Sequence, residues 1–167
     1  MGRIVVISDT HWDDPLEFEE RLEGICCGAS LIIHAGDAVR PFVHERLSAW
    51  APYKAVSGNC DGGQIRAKYP ELDSFEIEGI SIGLLHGHRA DLTNPLNIAS
   101  FFSNKPQIYI HGHSHVAIHY THEINGETKH FLNPGSFSEP RDRRAPSWAE
   151  IDCSQGIFVI QHLFKTW

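Results

Sequence analysis

Short apolar runs alternate with polar, helix-spaced stretches along the first half of the chain. Ile4 to Ile7, Leu31 to Ile33 and Lys54 to Val56 read as strands with helices between them, a pattern that predicts parallel α/β units. The first helix carries its own start signal. Asp14 can cap it, Pro15 fits the first turn, and Glu17 stands three residues on, as a capping box requires. Its apolar face is expected from Leu16, Leu22 and Ile25, and that of a second helix, Pro41 to Trp50, from Phe42, Val43, Leu47 and Trp50.

The second half reads differently. Strands are expected near Ser74 to Ile77, Ile80 to Leu85 and Gln107 to Ile110, with a helix over Leu96 to Phe102. Hairpins then follow. Val116, Ile118, Tyr120 and Ile124 keep one parity up to Asn125-Gly126, a two-residue turn signal, and the chain returns through Glu127 to Leu132. A last hairpin joins Trp148 to Ile151 with Ile157 to Leu163 through Ser154-Gln155-Gly156. Parallel units followed by antiparallel hairpins predict an α/β fold of two packed sheets with helices outside, in a single domain over residues 1–167.

Composition narrows the function classes. The 167 residues suit one domain, and a net charge of −7 supplies no field for holding a nucleic-acid backbone, which speaks against a nonspecific nucleic-acid binder. No run approaches the roughly 18 apolar residues of a membrane span, and the N-terminus enters a strand without a signal-peptide pattern. A cytoplasmic protein without membrane partners is the expectation. Cys26, Cys27, Cys60 and Cys153 lack paired C-x-x-C spacing, so buried thiols are expected rather than a disulfide framework.

The candidate chemistry lies at strand ends. Following each apolar run to its carboxyl end leads to a metal-ligating side chain: Asp9 and His11, Asp37, Asn59, His86, then His113 and His115. Carboxyl ends of parallel strands share one edge, where loops converge on a ligand. Extended backbone would point positions i and i+2 the same way, which predicts that Asp9 with His11, and His113 with His115, face one cleft. Gly36, Gly58 and Gly112 each precede a candidate ligand, as close backbone approach would require. Carboxylate, amide and imidazole donors suit divalent manganese, iron or zinc. Seven side chains exceed one tetrahedral ion but serve two if a carboxylate bridges, and Asp37 is the natural bridge.

These motifs, Asp9-Thr10-His11, Gly36-Asp37, Gly58-Asn59, His86 and Gly112-His113-Ser114-His115, resemble the calcineurin-like metallophosphoesterase family over nearly the whole chain. Gly58-Asn59-Cys60-Asp61, His86-Gly87-His88 and Asn133-Pro134-Gly135-Ser136 look like its compact phosphodiesterase branch. The resemblance implies a four-layer α/β/β/α sandwich. It also implies one ion on Asp9, His11, Asp37 and His115, and a second on Asp37, Asn59, His86 and His113. The implied cofactors are two divalent metal ions, manganese foremost, with iron, zinc or nickel as alternatives. The implied reaction is attack on phosphorus by a bridging hydroxide, since metal coordination brings the pKa of water near neutrality. A small phosphodiester is the expected substrate, and a homo-oligomer is compatible with the family.

Some positions keep more than one reading. Where the broader family commonly has a histidine after the asparagine ligand, this chain has Cys60, so the leaving-group proton can come from Cys60, Asp61, His88 or water. Cys60 and Asn133 are the candidate substrate contacts. Trp12 either flanks the cleft or packs on the first helix, and Arg141, Asp142, Arg143 and Arg144 either hold phosphate or form a solvated loop. A rival function is a catalytically weak or inactive protein-interaction scaffold of the same fold, as in the retromer subunit that resembles this family. All seven ligand positions are retained here, which favours the enzyme. His-x-His pairs also occur in amidohydrolases and in the metallo-β-lactamase fold. The former need a barrel of about 250 residues, and the latter expect Asp-His where this chain has Val116-Ala117.

Overall fold

The computed structural model describes residues 2–153 and 158–164. Two five-stranded mixed sheets form the centre. The first has the order β10-β9-β1-β2-β3, from β1 (Arg3–Ile7), β2 (Leu31–His34), β3 (Tyr53–Ala55), β9 (Ser147–Asp152) and β10 (Val159–Phe164). The second has the order β4-β5-β6-β8-β7, from β4 (Leu72–Ile77), β5 (Ile80–Leu85), β6 (Ile108–Ile110), β7 (Ala117–Ile124) and β8 (Glu127–Pro134). Strands β1, β2 and β3 run parallel, as do β5, β6 and β8, while the outer strands join antiparallel.

Period-two alternation builds the layers. Ile4 and Val6 of β1 face the second sheet and pack with Ile82, Leu84, Ile110 and Leu132, whereas Val5 and Ile7 face outward. There they meet Phe18 and Leu22 of α1 (Pro15–Cys26) and Val43 and Leu47 of α2 (Pro41–Trp50). On the far side, Tyr109 and Phe131 pack beneath Ile98 of α4 (Pro95–Ser100). Central strands buried on both faces explain why the sequence shows continuous apolar runs, each fully buried aliphatic contributing about 1.5–3 kcal/mol. The expected α/β/β/α layering is the observed one. No helix among the described residues is long and apolar enough to cross a membrane.

Several local expectations are corrected. Leu16 is 72% exposed and Phe18 takes its place on the core face, because the inward positions of α1 are Phe18, Leu22 and Ile25. The Asp14 carboxylate caps Leu16 and Glu17 as expected, but the Glu17 carboxylate accepts from Trp12 and Arg21, and only that half of the capping box is seen. Ile118 is 42% exposed on edge strand β7, where alternation has no covering layer on one side. A short helix, α3 (Gly63–Lys68), follows the glycine pair without a sequence signal, since Ile65 is its one buried residue. The two late hairpins part company. β7-β8 completes the second sheet, while β9-β10 returns to β1 in the first, its turn at 154–156 lying outside the described residues.

Candidate metal centre

The carboxyl ends of β1, β2, β5 and β6 bring their loops to one place. Asp9, His11 and His115 offer ligand atoms within 4.8 Å of one another, and so do Asp9, Asp37 and His86. A third group of the same kind joins His11, Asp37 and Cys60. The shared members make this one cluster with two lobes. His115 Nε2 lies 3.1 Å from Asp9 Oδ1 and His86 Nε2 3.2 Å from Asp37 Oδ2. His11 Nε2 stands between the carboxylates, 3.9 Å from Asp9 Oδ1 and 3.8 Å from Asp37 Oδ2.

Paired ligands share the cleft for a reason other than extended backbone. Asp9, His11, Asp37, His113 and His115 have φ of 51°, 41°, 57°, 66° and 60°, so five of the seven candidate ligands adopt the left-handed conformation. Aspartate and histidine tolerate this region better than most residues, but each such position costs of order 1 kcal/mol or more and persists only when its surroundings over-determine it. The surroundings are visible. The Asp9 carbonyl accepts from the hydroxyls of Ser136 (2.8 Å) and Ser138 (3.2 Å), and the Asp9 amide donates to the Gly36 carbonyl at 3.0 Å. The Asn133-Pro134-Gly135-Ser136 loop therefore clamps the first ligand loop.

Close packing explains the glycines. A Cβ on Gly58 would stand 2.1 Å from Asp37 Oδ1, and one on Gly112 2.0 Å from Ser8 Oγ and 2.7 Å from Asp9 Oδ2. Neither loop tolerates a side chain there without moving a carboxylate.

Second contacts fix which atoms face inward. His86 Nδ1 pairs with the Ala35 carbonyl at 2.8 Å and His115 Nδ1 with the Glu139 carbonyl at 2.7 Å. An imidazole that donates through Nδ1 presents an Nε2 lone pair, the arrangement typical of metal-bound histidine. Asp9 Oδ2 accepts from Ser8 Oγ at 2.6 Å and from the His113 amide at 3.0 Å, leaving Oδ1 free. Asp9 Oδ1, His11 Nε2 and His86 Nε2 are buried without hydrogen-bond partners. Buried polar atoms left unpaired are costly, and three of them converging with hard and borderline donors fit divalent cations.

The electrostatics agree. Burial pushes the Asp9 carboxyl up, but His11 and His115 pull it further down, below the usual carboxylate range. For Asp37 burial also raises, and His86 outweighs it, leaving the group at about 2. Asp9 raises His11 against the effect of burial, and Asp37 with Asp9 raises His86 although burial alone would lower it. The two carboxylates favour positive charge at the centre, the sign that a metal ion would bring.

The remaining candidates lie at the rim. His113 is half-buried, its ring edge-on to His86 at 5.2 Å. Asn59 is exposed, its Nδ2 donating to Cys60 Sγ at 3.4 Å. Cys60 is also exposed, and desolvation together with Asp37 pushes its thiol up to about 11. Asn133, expected at the substrate, is fully buried. Its Nδ2 donates to the Gly112 carbonyl at 2.8 Å and Ser114 Oγ at 2.9 Å, and its Oδ1 accepts from the Gly135 amide at 2.9 Å. No free group is left for a substrate, because the side chain braces the His113 loop. Trp12 packs between Phe18 and Phe137, which selects packing over cleft contact. The arginine loop is exposed, with Arg144 paired to Asp142.

Asp61 has a role that the sequence did not disclose. Its carboxylate accepts from the amides of Asp37 (3.1 Å), Val39 (2.7 Å) and Gly58 (2.7 Å), tying two ligand loops together. With both oxygens so engaged it is a positioning residue, not a proton donor. An aspartate two residues after the candidate asparagine ligand, flanked by Cys60 and Gly62, was the available signal.

Residues 3–156 match the family model described as a calcineurin-like phosphoesterase superfamily domain. A probable metallophosphoesterase of Mycoplasma pneumoniae is 31% identical, over 93% of this chain and 92% of its own length. Among solved structures, a conserved Streptococcus pneumoniae protein described as a predicted phosphoesterase superposes with TM-score 0.76 at 28% identity, covering 98% of this chain and 89% of that one. Vps29 of Chaetomium thermophilum superposes with TM-score 0.73 at 18% identity, covering 98% of this chain and 97% of that one, a likeness of fold alone.

Proposed function

The chain belongs to the calcineurin-like phosphoesterase superfamily, and from that premise we propose that it is a metal-dependent phosphodiesterase acting on a small diester. The observation that carries this reading is the convergence of Asp9 Oδ1, His11 Nε2 and His86 Nε2, buried and unpartnered, around the Asp37 carboxylate. Asp9, His11, Asp37 and His115 would hold one divalent ion, and Asp37, Asn59, His86 and His113 the other. Bound there, such ions activate water as a nucleophile and neutralise charge on the phosphoryl oxygens.

The chain's own residues do the rest. Asp61, Ser136 and Asn133 hold the ligand loops, and the donor atoms of Asp9, His11, Asp37, His86 and His115 already converge. Cys60, exposed beside Asp37, stands where a substrate would approach, as a neutral thiol that keeps its proton near pH 7. Two carboxylates facing two divalent charges leave the site net positive, which favours an anionic diester.

Hydrolysis of bis(p-nitrophenyl) phosphate tests the reading, with manganese, iron, zinc or nickel added and a chelator as control. Activity is expected with metal and absent with chelator. Asp37→Ala removes a ligand from both ions and is expected to lower turnover by about a thousandfold or more. Near-parental turnover by that variant at saturating metal would overturn the bridging role.

A further inference from the structure

The histidine ligands do not end the row of rings. After His86, Gly87 turns the chain at φ 103°, and His88 comes to lie 5.6 Å from the His86 ring and 6.3 Å from the His113 ring. Its Nδ1 is buried without a hydrogen-bond partner, although the residue as a whole is half-exposed. His88 also lines a cavity of about 140 Å³ whose walls are Leu72, Leu85, Ala90 and Phe101. A protein cavity of roughly 150 Å³ accommodates a benzene ring. Leu72 and Phe101 remain 40% and 37% exposed at its mouth. The one charged pair at the rim, Arg89 with Glu71 at 3.0 Å, is mutually neutralised.

We propose that this cavity is a subsite for an aromatic or heteroaromatic ring carried through an ester oxygen on the substrate phosphorus. The His88 ring, on the cavity wall, would meet the ring's polar edge. The inference rests on the phosphodiesterase reading of the adjoining centre and adds a substrate class to it. Three features support a ring over a sugar or a second phosphate: apolar walls, a volume near that of one ring, and no unpaired cation among the lining residues. His88 belongs both to the cavity wall and to the row of rings at the centre, and this shared residue is the ground for assigning one part of the substrate to the cavity. That part is the group next to the reacting phosphorus.

The test uses zinc-loaded full-length chain and two non-hydrolysable probes, phenylphosphonate and methylphosphonate. Phenylphosphonate is expected to bind about tenfold tighter or better, and to shift the methyl resonances of Leu72 and Leu85. Phe101→Ala is expected to reduce that preference several-fold. Leu72→Ala, on an edge strand, is the second variant should the first fold poorly. A 4-pyridyl probe is expected to outbind phenyl in the parent and to lose that advantage in His88→Ala. Equal affinity for phenyl- and methylphosphonate, or unmoved Leu72 and Leu85 resonances, overturns the subsite. Turnover of bis(p-nitrophenyl) phosphate is measured on the same preparation. Turnover without ring preference sinks the subsite and leaves the phosphodiesterase standing, whereas ring binding without turnover supports the cavity and sinks the phosphodiesterase.

Discussion

The floor and the rim of the centre are built on different terms. At the floor, Asp9, His86 and His115 are at most 3% exposed, each oriented by hydrogen bonds or by backbone held in a left-handed conformation. At the rim, Asn59 and Cys60 are exposed, their side chains in contact while the Cys60 amide donates to Asp37 Oδ1 at 2.8 Å, and His113 and His88 are half-open. Donors that must meet a cation at fixed distance are preorganised, and the strain this stores is held by neighbouring loops. The side chains of Asn59 and His113, which would complete the second ion's shell, and those of Cys60 and His88, which would meet substrate, are held less tightly. Metal binding should therefore fail when the floor is loosened, and substrate preference should move when the rim is altered.

The largest break comes from Asp61, which lies beneath the floor and touches no candidate donor atom. Asp61→Ala strands the amides of Asp37, Val39 and Gly58. Leaving buried donors unsatisfied costs about 3 kcal/mol, or about 6–12 °C in Tm for a domain of this size. Metal affinity is expected to fall about 10- to 100-fold, as when groups supporting a ligand are lost. Thermal melts with and without metal, and metal titration, measure both. An unchanged metal affinity would mean that the ligand loops hold themselves.

How much of this was legible in the sequence follows from the same division. Strand ends followed by Asp or His disclosed the residues that converge, Asp9, His11, Asp37, His86 and His115, because a parallel sheet forces its carboxyl ends to one edge. Continuous apolar runs disclosed strands buried on both faces. The left-handed backbone at five ligands was not legible, since short polar loops have no periodicity, and at Asp9 the conformation is held by Ser136 and Gly36, distant in sequence from it. Asn133 was misread for a related reason. Its sequence place beside Pro134 and Gly135 marks a loop near the site, but only the packed structure shows its amide facing Gly112 and Ser114. Leu16 failed by half a turn of helix, where capping set the start but packing chose Phe18.

Protons and metal compete at the floor, and pH separates them. His11 and His86 are raised by the carboxylates, so their contribution to stability is complete below their ordinary value of 6.5 and is lost as pH rises through the raised folded values. Asp37 is depressed from 3.8 to about 2, so its contribution is complete above 3.8 and is lost as pH falls toward 2. Chelated protein should therefore lose Tm as pH rises from 6.5 through the alkaline range. Metal-loaded protein should not, because deprotonated imidazoles bind the ion better as pH rises. The gap between loaded and chelated melts should widen with pH. A gap that is constant across that range would separate these histidines from metal binding.

The smallest expected effect lies at the rim, at Cys60. A thiol raised to about 11 is a poor proton donor near neutrality, because a general acid works best with its pKa near the working pH. Cys60→His places an imidazole of ordinary pKa about 6.5 at the same point, beside Asp37 and His11. Diesters with alkyl leaving groups need that proton, and their turnover is expected to rise about tenfold, roughly a decade less than an optimally positioned acid supplies. Nitrophenyl diesters leave without it and should change by less than about twofold, a difference of under 0.5 kcal/mol. Both rates are read with metal held saturating, so a change in ion affinity does not enter the ratio. An equal gain or loss on the two substrates would place Cys60 with the floor, acting on the ions through Asp37, and would move the boundary between the two regions outward by one residue.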